Sequence, residues 1–158
     1  MAYYLNRMKK TDRTAYEAAL HLLKYRGQSE KELRRKLKDR GYEESEIEKS
    51  IEKLKHYGYV DDESLAEDVF RALRNRKCYG DSYIQRKMKD QGLNAPSHVP
   101  EEEERKNAVN LLLGRIKIYP GLRDDYRKAA SFLLRRGFSS SAIHEALSIL
   151  YTDIPEDD

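Results

Sequence analysis

Apolar residues along this chain recur three or four positions apart, and the runs they make stop at glycines. Ala15, Ala18, Ala19, Leu22 and Leu23 form the first such stripe. Thr14 precedes it with Glu17 placed to complete a capping box, and Gly27 is its predicted end. Ser29 and Glu32 offer a second capping box for a helix anchored on Leu33 and Leu37 and stopped at Gly41. A third helix rides on Ile47, Ile51 and Leu54 up to Gly58. Asp61-Asp62-Glu63 is an acidic helix start, followed by Leu65, Ala66, Val69, Phe70 and Leu73 and a basic end, Arg74-Asn75-Arg76-Lys77. Gly80 and Asp81 begin a fifth helix on Ile84 and Met88, closed by Gly92. Pro100 suits the first position of a sixth, whose first turn holds Glu101–Glu104 where carboxylates favour the helix dipole. That helix continues on Ala108, Leu111, Leu112 and Ile116 and stops at Pro120-Gly121. Residues 122–136 carry a seventh on Tyr126, Ala129, Ala130, Leu133 and Leu134, and Ser139 caps an eighth on Ile143, Leu147 and Leu150. No segment alternates with period two over a strand's length, so the pattern predicts an all-α chain of about eight helices.

One phrase recurs within this pattern. Lys36-Leu37-Lys38-Asp39-Arg40-Gly41-Tyr42 is repeated nearly residue for residue by Lys87-Met88-Lys89-Asp90-Gln91-Gly92-Leu93. Its skeleton returns in Phe132-Leu133-Leu134-Arg135-Arg136-Gly137-Phe138. Each copy reads as a helix C-terminus closed by glycine and a bulky apolar residue, and three copies predict three related units. Used as a ruler, the phrase exposes an omission. Counting on from Gly41, the third helix is anchored by Ile47, Ile51 and Leu54; equal offsets from Gly137 give Ile143, Leu147 and Leu150. From Gly92 they give His98, Glu102 and Arg105, which cannot anchor a helix in a core. The middle unit therefore lacks most of its third helix, and Asn94 to Pro100 is a break. The expected divisions are a basic arm (1–10), a three-helix repeat (11–57), a shortened repeat (58–99), a second three-helix repeat (100–151) and an acidic tail (152–158). Units this small bury little alone, so an elongated tandem array with neighbours packed end to end is expected.

Charge refines the picture. Asp, Glu, Lys and Arg make up 37% of the 158 residues, yet the net charge is only +3. That mixture fits solvated helices with i,i+4 pairs better than a disordered polyelectrolyte. One cysteine, Cys78, excludes an internal disulfide and a Cys-based zinc cage, and it lacks a nucleophile's surroundings. No apolar run approaches the roughly 18 residues of a membrane span, and a signal-peptide core is missing, so a cytoplasmic protein without a membrane partner is expected. The glycines stand singly at helix ends, which excludes a phosphate-binding loop. His21, His56, His98 and His144 lie apart, with no metal-ligand spacing. Asp61-Asp62 is explained as a helix start. Neither an enzyme nor a cofactor is expected.

The basic residues remain as the functional candidates. With Leu33 and Leu37 facing inward, Arg34, Arg35 and Lys38 should project outward. Arg71, Arg74, Arg76 and Lys77 end one helix of the middle unit while Arg86 and Lys89 line the next. Arg123, Arg127, Arg135 and Arg136 occupy the corresponding region of the last unit. Repetition would align these into a basic stripe interrupted by tyrosines, attractive to phosphate backbones or to an acidic protein surface. The bland alternative is a solvated face with acidic residues interleaved. The charge is also lopsided: residues 1–60 hold 15 Lys and Arg against 10 Asp and Glu, whereas residues 100–158 hold 9 against 11.

Three stretches give the chain a family likeness. They are Ala19 through Leu33 with Lys36-Leu37 and Gly41-Tyr42; Leu54 through Gly58-Tyr59-Val60-Asp61-Asp62-Glu63 to Ala66; and Phe132 through Phe138. In these it resembles the RecX regulatory proteins, bacterial modulators of the RecA recombinase. The resemblance spans about residues 14–150 and implies tandem three-helix repeats. It implies a non-enzymatic monomer that binds the groove of the RecA–DNA filament and inhibits its ATPase, strand exchange and coprotease activities, with single- or double-stranded DNA as a further contact. Two departures are the shorter segment after Gly92 and Leu65 at a position more often aromatic. A competing reading is a stand-alone DNA-binding protein with helix-turn-helix-like units. A third is a generic helical scaffold.

Overall fold

The structure, a computed structural model, describes residues 12–151; the basic arm and the acidic tail lie outside them. Eight α-helices follow in order: α1 (Ala15–Leu23), α2 (Glu30–Asp39), α3 (Glu44–His56), α4 (Asp62–Asn75), α5 (Asp81–Asp90), α6 (Glu101–Ile118), α7 (Tyr126–Arg135) and α8 (Ser140–Leu150). A 3-10 turn, Pro120–Asp124, joins α6 to α7, and the described residues contain no strand. The all-α expectation holds. Two compact units divide the chain: the described residues up to Glu67 with Lys89–Asn94, and Asp68–Met88 with the described residues from Ala95 onward.

In the first unit α1, α2 and α3 pack on one another around Ala15, Ala18, Ala19, Leu33, Leu37, Ile47, Ile51 and Leu54. The capping box at Thr14 forms with both halves, Thr14 Oγ1 accepting from Glu17 N and Glu17 Oε2 from Thr14 N, each at 3.2 Å. Small residues on α1 let it approach α3, where Ala15 N donates to Glu46 Oε1 at 3.1 Å. α1 ends at Leu23, short of Gly27, because Gln28 Nε2 satisfies the Leu22 carbonyl at 2.9 Å. Gly27 instead faces Leu65; a Cβ there would meet Leu65 Cδ1 at 2.9 Å. The second capping box is only half made. Ser29 Oγ accepts from Glu32 N at 3.1 Å, but the Glu32 carboxylate is drawn to Arg26 at 2.5 Å. Asp62, at the start of α4, accepts from Glu30 N at 2.9 Å and so caps α2.

The second unit is built on α6, which packs along α8 and against α7. Ala108, Leu112, Ile116, Ala129, Phe132, Leu133, Phe138, Ala142, Ala146 and Leu147 fill its core. Glu104 departs from the expectation of a solvated first-turn carboxylate. It is only 5% exposed, and its Oε1 accepts from Asp81 N at 3.3 Å and Ser139 N at 3.0 Å. One side chain thus serves the starts of α5 and α8, where backbone N–H groups lack helical partners. Pro120-Gly121 also does more than stop a helix. The chain winds into the 3-10 turn, and α7 begins only at Tyr126, with Asp125 Oδ1 accepting from Lys128 N at 3.1 Å. Tyr151 Oη holds the turn by donating to Leu122 O at 2.5 Å.

No helix forms over residues 91–100, as the offsets from Gly92 require. In the second unit this segment is strapped to α5: Asp81 Oδ1 accepts from Val99 N at 2.8 Å, Asp81 Oδ2 lies 2.8 Å from His98 Nδ1, and Gln85 Nε2 donates to Ser97 O at 2.9 Å. The recurring phrase has a second role beyond stopping helices. In the first unit Gln91 O accepts from Ser29 Oγ at the start of α2; in the second, Arg136 O accepts from Gly80 N at 2.8 Å just before α5. Each of these turns presents a carbonyl to the beginning of another helix.

Candidate partner-binding surface

The predicted cations divide into those held by the fold and those turned to solvent. Arg34 is half-buried and held. Its Nη2 meets Glu30 Oε1 at 2.9 Å and its Nη1 meets Glu48 Oε2 at 2.6 Å, joining α2 to α3. Glu48 first and Glu30 second raise the guanidinium above its ordinary pKa. Arg34 in turn, with Lys55 at 3.3 Å, holds Glu30 below the ordinary carboxylate value despite its partial burial. Lys36 is also engaged: burial lowers its pKa, and Nζ donates to Gln28 Oε1 at 2.5 Å. Arg35 is exposed, with Asp39 at 3.9 Å, and Lys38 and Lys89 are exposed without an ion pair among the described residues.

In the second unit Arg74 is the fastener. Its Nε and Nη2 reach both oxygens of Glu103, at 2.8 and 2.5 Å, tying α4 to the first turn of α6. A bidentate pair of this kind adds geometric specificity to charge attraction. It lowers the Glu103 pKa. Arg71 meets Asp68 at 3.1 Å on its own helix. Arg76 and Lys77 are exposed where α4 ends, and Lys77 adopts φ +56°. Nearby in sequence, Tyr79 and Tyr83 stack with centroids 4.2 Å apart and planes 9° from parallel, and Arg86 lies 5.9 Å from the Tyr83 ring. The structure thus joins one predicted cation, Arg86, to an aromatic pair that the charge pattern did not single out.

Arg127 and Arg135 come together on α7 in an unexpected setting. With Arg115, Lys128 and Ser131 they line a cleft of about 600 Å³ formed by the end of α6, the 3-10 turn and α7. The Arg115 guanidinium lies 4.2 Å from the Tyr119 ring centre and 5.4 Å from that of Phe132; Arg136 lies 4.8 Å from Phe132. Arg115 and Lys128 lie outside the recurring phrase, so its spacing does not point to them. The Arg115–Tyr119 spacing, four apart on a helix, was the available signal. Among the described residues, no three His, Cys, Asp or Glu side chains gather as a metal-binding group, and no helix is long and apolar enough to cross a membrane.

Comparison with known proteins identifies the architecture. A family model for the first three-helix domain of RecX matches residues 15–54, which hold α1, α2 and most of α3. The regulatory protein RecX of Stenotrophomonas maltophilia (strain K279a) is 33% identical over 141 residues, covering 85% of this chain and 86% of that protein. The chain belongs to the RecX family. The regulatory protein RecX of Pelodictyon phaeoclathratiforme (strain DSM 5477 / BU-1) is 34% identical over 146 residues, covering 89% of this chain and 91% of the relative. A crystal structure of RecX from Lactobacillus salivarius superposes with a TM-score of 0.69 at 23% identity, covering 88% of this chain and 96% of that one, and so shares the fold. The family model takes in the first of the stretches that carry the sequence likeness, and the RecX relatives extend the match over most of the chain.

Proposed function

We propose that this protein regulates RecA: it lies in the groove of the RecA–DNA filament and inhibits ATP hydrolysis, strand exchange and coprotease activity. RecX family membership carries the reading, and relatives of nearly the same length are named regulatory proteins. The mechanism is occupancy. Three helical modules, residues 11–57, 58–99 and 100–151, act as one cytoplasmic monomer that bridges RecA protomers and blocks the path of incoming duplex or substrate. Contact falls to the solvent-facing cations Arg35, Lys38, Arg71, Arg76, Lys77, Arg86, Lys89, Arg127 and Arg135, with Arg136 beside them. Arg34 and Arg74, already engaged by carboxylates, hold the helices that carry the others. Co-sedimentation with RecA assembled on single-stranded DNA tests the contact surface. The protein is expected in the pellet, and reversing Arg76, Lys77 and Arg86 together to Glu should release it while helical content is unchanged. Recovery in the supernatant for the unaltered protein would refute the reading.

The stacked Tyr79–Tyr83 pair beside Arg86 favours a second reading, a stand-alone DNA-binding protein. The helices best placed for recognition argue against sequence readout. α3 carries glutamates among its lysines, and α8 contains neither Lys nor Arg. Tight, sequence-selective and strongly salt-dependent DNA binding without RecA would favour this alternative.

A further inference from the structure

The cleft on α7 lies where the described part of the chain ends. Its floor is apolar, with Phe132 only 9% exposed and Leu122 half-buried, and Arg115 and Arg135 stand on its walls. Neither of these two arginines meets a carboxylate among the described residues, and Arg115 lies over the Tyr119 and Phe132 rings instead. Asp125 is the one acidic side chain among the described lining residues, and Lys128 engages it. Its Oδ1 accepts from Lys128 N at 3.1 Å and its Oδ2 lies 3.6 Å from Lys128 Nζ. The volume of about 600 Å³ falls within the range of sites that enclose a side chain or a small ligand.

Tyr151 ties the end of α8 to the rim of this cleft. Its Oη donates to Leu122 O at 2.5 Å, and both side chains pack against the core of the second unit. Burial first, and then the charge of neighbouring Asp125, raises its pKa, as expected of a phenol beside that wall. Seven residues follow it in sequence: Thr152-Asp153-Ile154-Pro155-Glu156-Asp157-Asp158. They bring four carboxylates and one aliphatic side chain, with no Lys or Arg among them. A span of seven residues reaches at most about 23 Å, and the three from Tyr151 to Ile154 at most about 10 Å, enough to cross the cleft. The residue before a proline favours extended backbone, a form in which one side chain can enter a groove while its neighbours reach the walls. Carboxylates suit the planar guanidinium forks, and an aliphatic group suits the floor. A segment tethered at the rim also has an effective concentration on the order of millimolar, which a weak ligand in solution does not match.

We propose that the chain's own acidic tail, residues 152–158, docks in this cleft, with Ile154 seated on Phe132 and Leu122 and the Glu156 and Asp157 carboxylates held by Arg115 and Arg135. Arg135 also stands among the cations proposed to meet RecA, so the docked tail competes with the filament for it. That consequence rests on the RecA reading; the docking itself does not, and its test uses no RecA. A nitroxide is attached to the full chain at Asp158→Cys, with Cys78→Ser to leave a single thiol, and NMR follows the broadening of the Ser131, Phe132 and Arg135 amides. Strong broadening of all three is expected, independent of protein concentration. Combining Arg115→Glu with Arg135→Glu should reduce it at least about fivefold, and so should Ile154→Ser. Adding Glu156→Lys and Asp157→Lys to the reversed cleft should restore it, a rescue that damage to the fold would not give, and circular dichroism checks that each variant folds. Absence of broadening in the starting protein, broadening unchanged by the charge reversal and by Ile154→Ser, or no rescue by the exchanged charges would overturn the proposal. So would broadening that passes from a spin-labelled chain to a separate isotope-labelled one, which would assign the cleft to a second copy.

Discussion

Gly137 shows how much one position in the recurring phrase is asked to do. Its φ is +79°, and a Cβ would fall 2.4 Å from Tyr83 N. Gly41 holds the equivalent turn at φ +88° with nothing within 4 Å of the added carbon. Gly41→Ala should therefore cost about 1 kcal/mol from backbone strain alone, and Gly137→Ala about 3 kcal/mol, because the steric conflict adds to it. Urea unfolding of both variants measures the difference, and equal losses would contradict the assigned packing. Glu104 makes a parallel case. Glu104→Ala removes the acceptor for two helix starts and should destabilise by about 2 kcal/mol, whereas Glu104→Gln keeps an acceptor and should lose less. The glycines that stop helices could be read from sequence because positive φ leaves a compositional mark. Gly80 could not. The obstacle to a side chain there is the Gly137 carbonyl, from a distant part of the sequence, which a Cβ would approach to 2.1 Å. Glu104 was hidden for the same reason: four successive glutamates look alike until the starts of α5 and α8 converge on one of them.

Among the helices, local chemistry set most beginnings and tertiary contacts moved several ends. Thr14, Ser29 and Ser139 each cap as their positions suggest. The end of α1 and the start of α7 shifted where Gln28, Leu122 and Tyr151 bond across the fold. The ion pairs between helices give a pH signature. Arg34 and Arg74 hold Glu30 and Glu103 below their ordinary value of 4.5. Such a carboxylate stabilises the fold fully above its unfolded value, and that contribution is lost as pH falls through its lowered folded value. Acid should therefore loosen the α2–α3 and α4–α6 attachments below about pH 4.5. Replacing Arg74 by Met should return the Glu103 pKa towards its ordinary value in a carboxyl-detected NMR titration. An unchanged Glu103 titration would show that Arg74 is not the cause.

For the whole molecule, the sequence ruler and the structure agree on the missing middle helix: His98 pairs with Asp81 where a core residue would be needed. Charge was less legible at this scale, because a list of arginines does not say which are held by neighbouring glutamates and which face solvent. The central claim is that the solvent-facing cations serve a regulator of RecA, and it is tested most directly by titrating the purified protein into RecA on single-stranded DNA while following ATP hydrolysis. Inhibition should appear at or below one molecule per RecA and weaken when Arg76, Lys77 and Arg86 are reversed. Undiminished hydrolysis at equal amounts of the two proteins would contradict it.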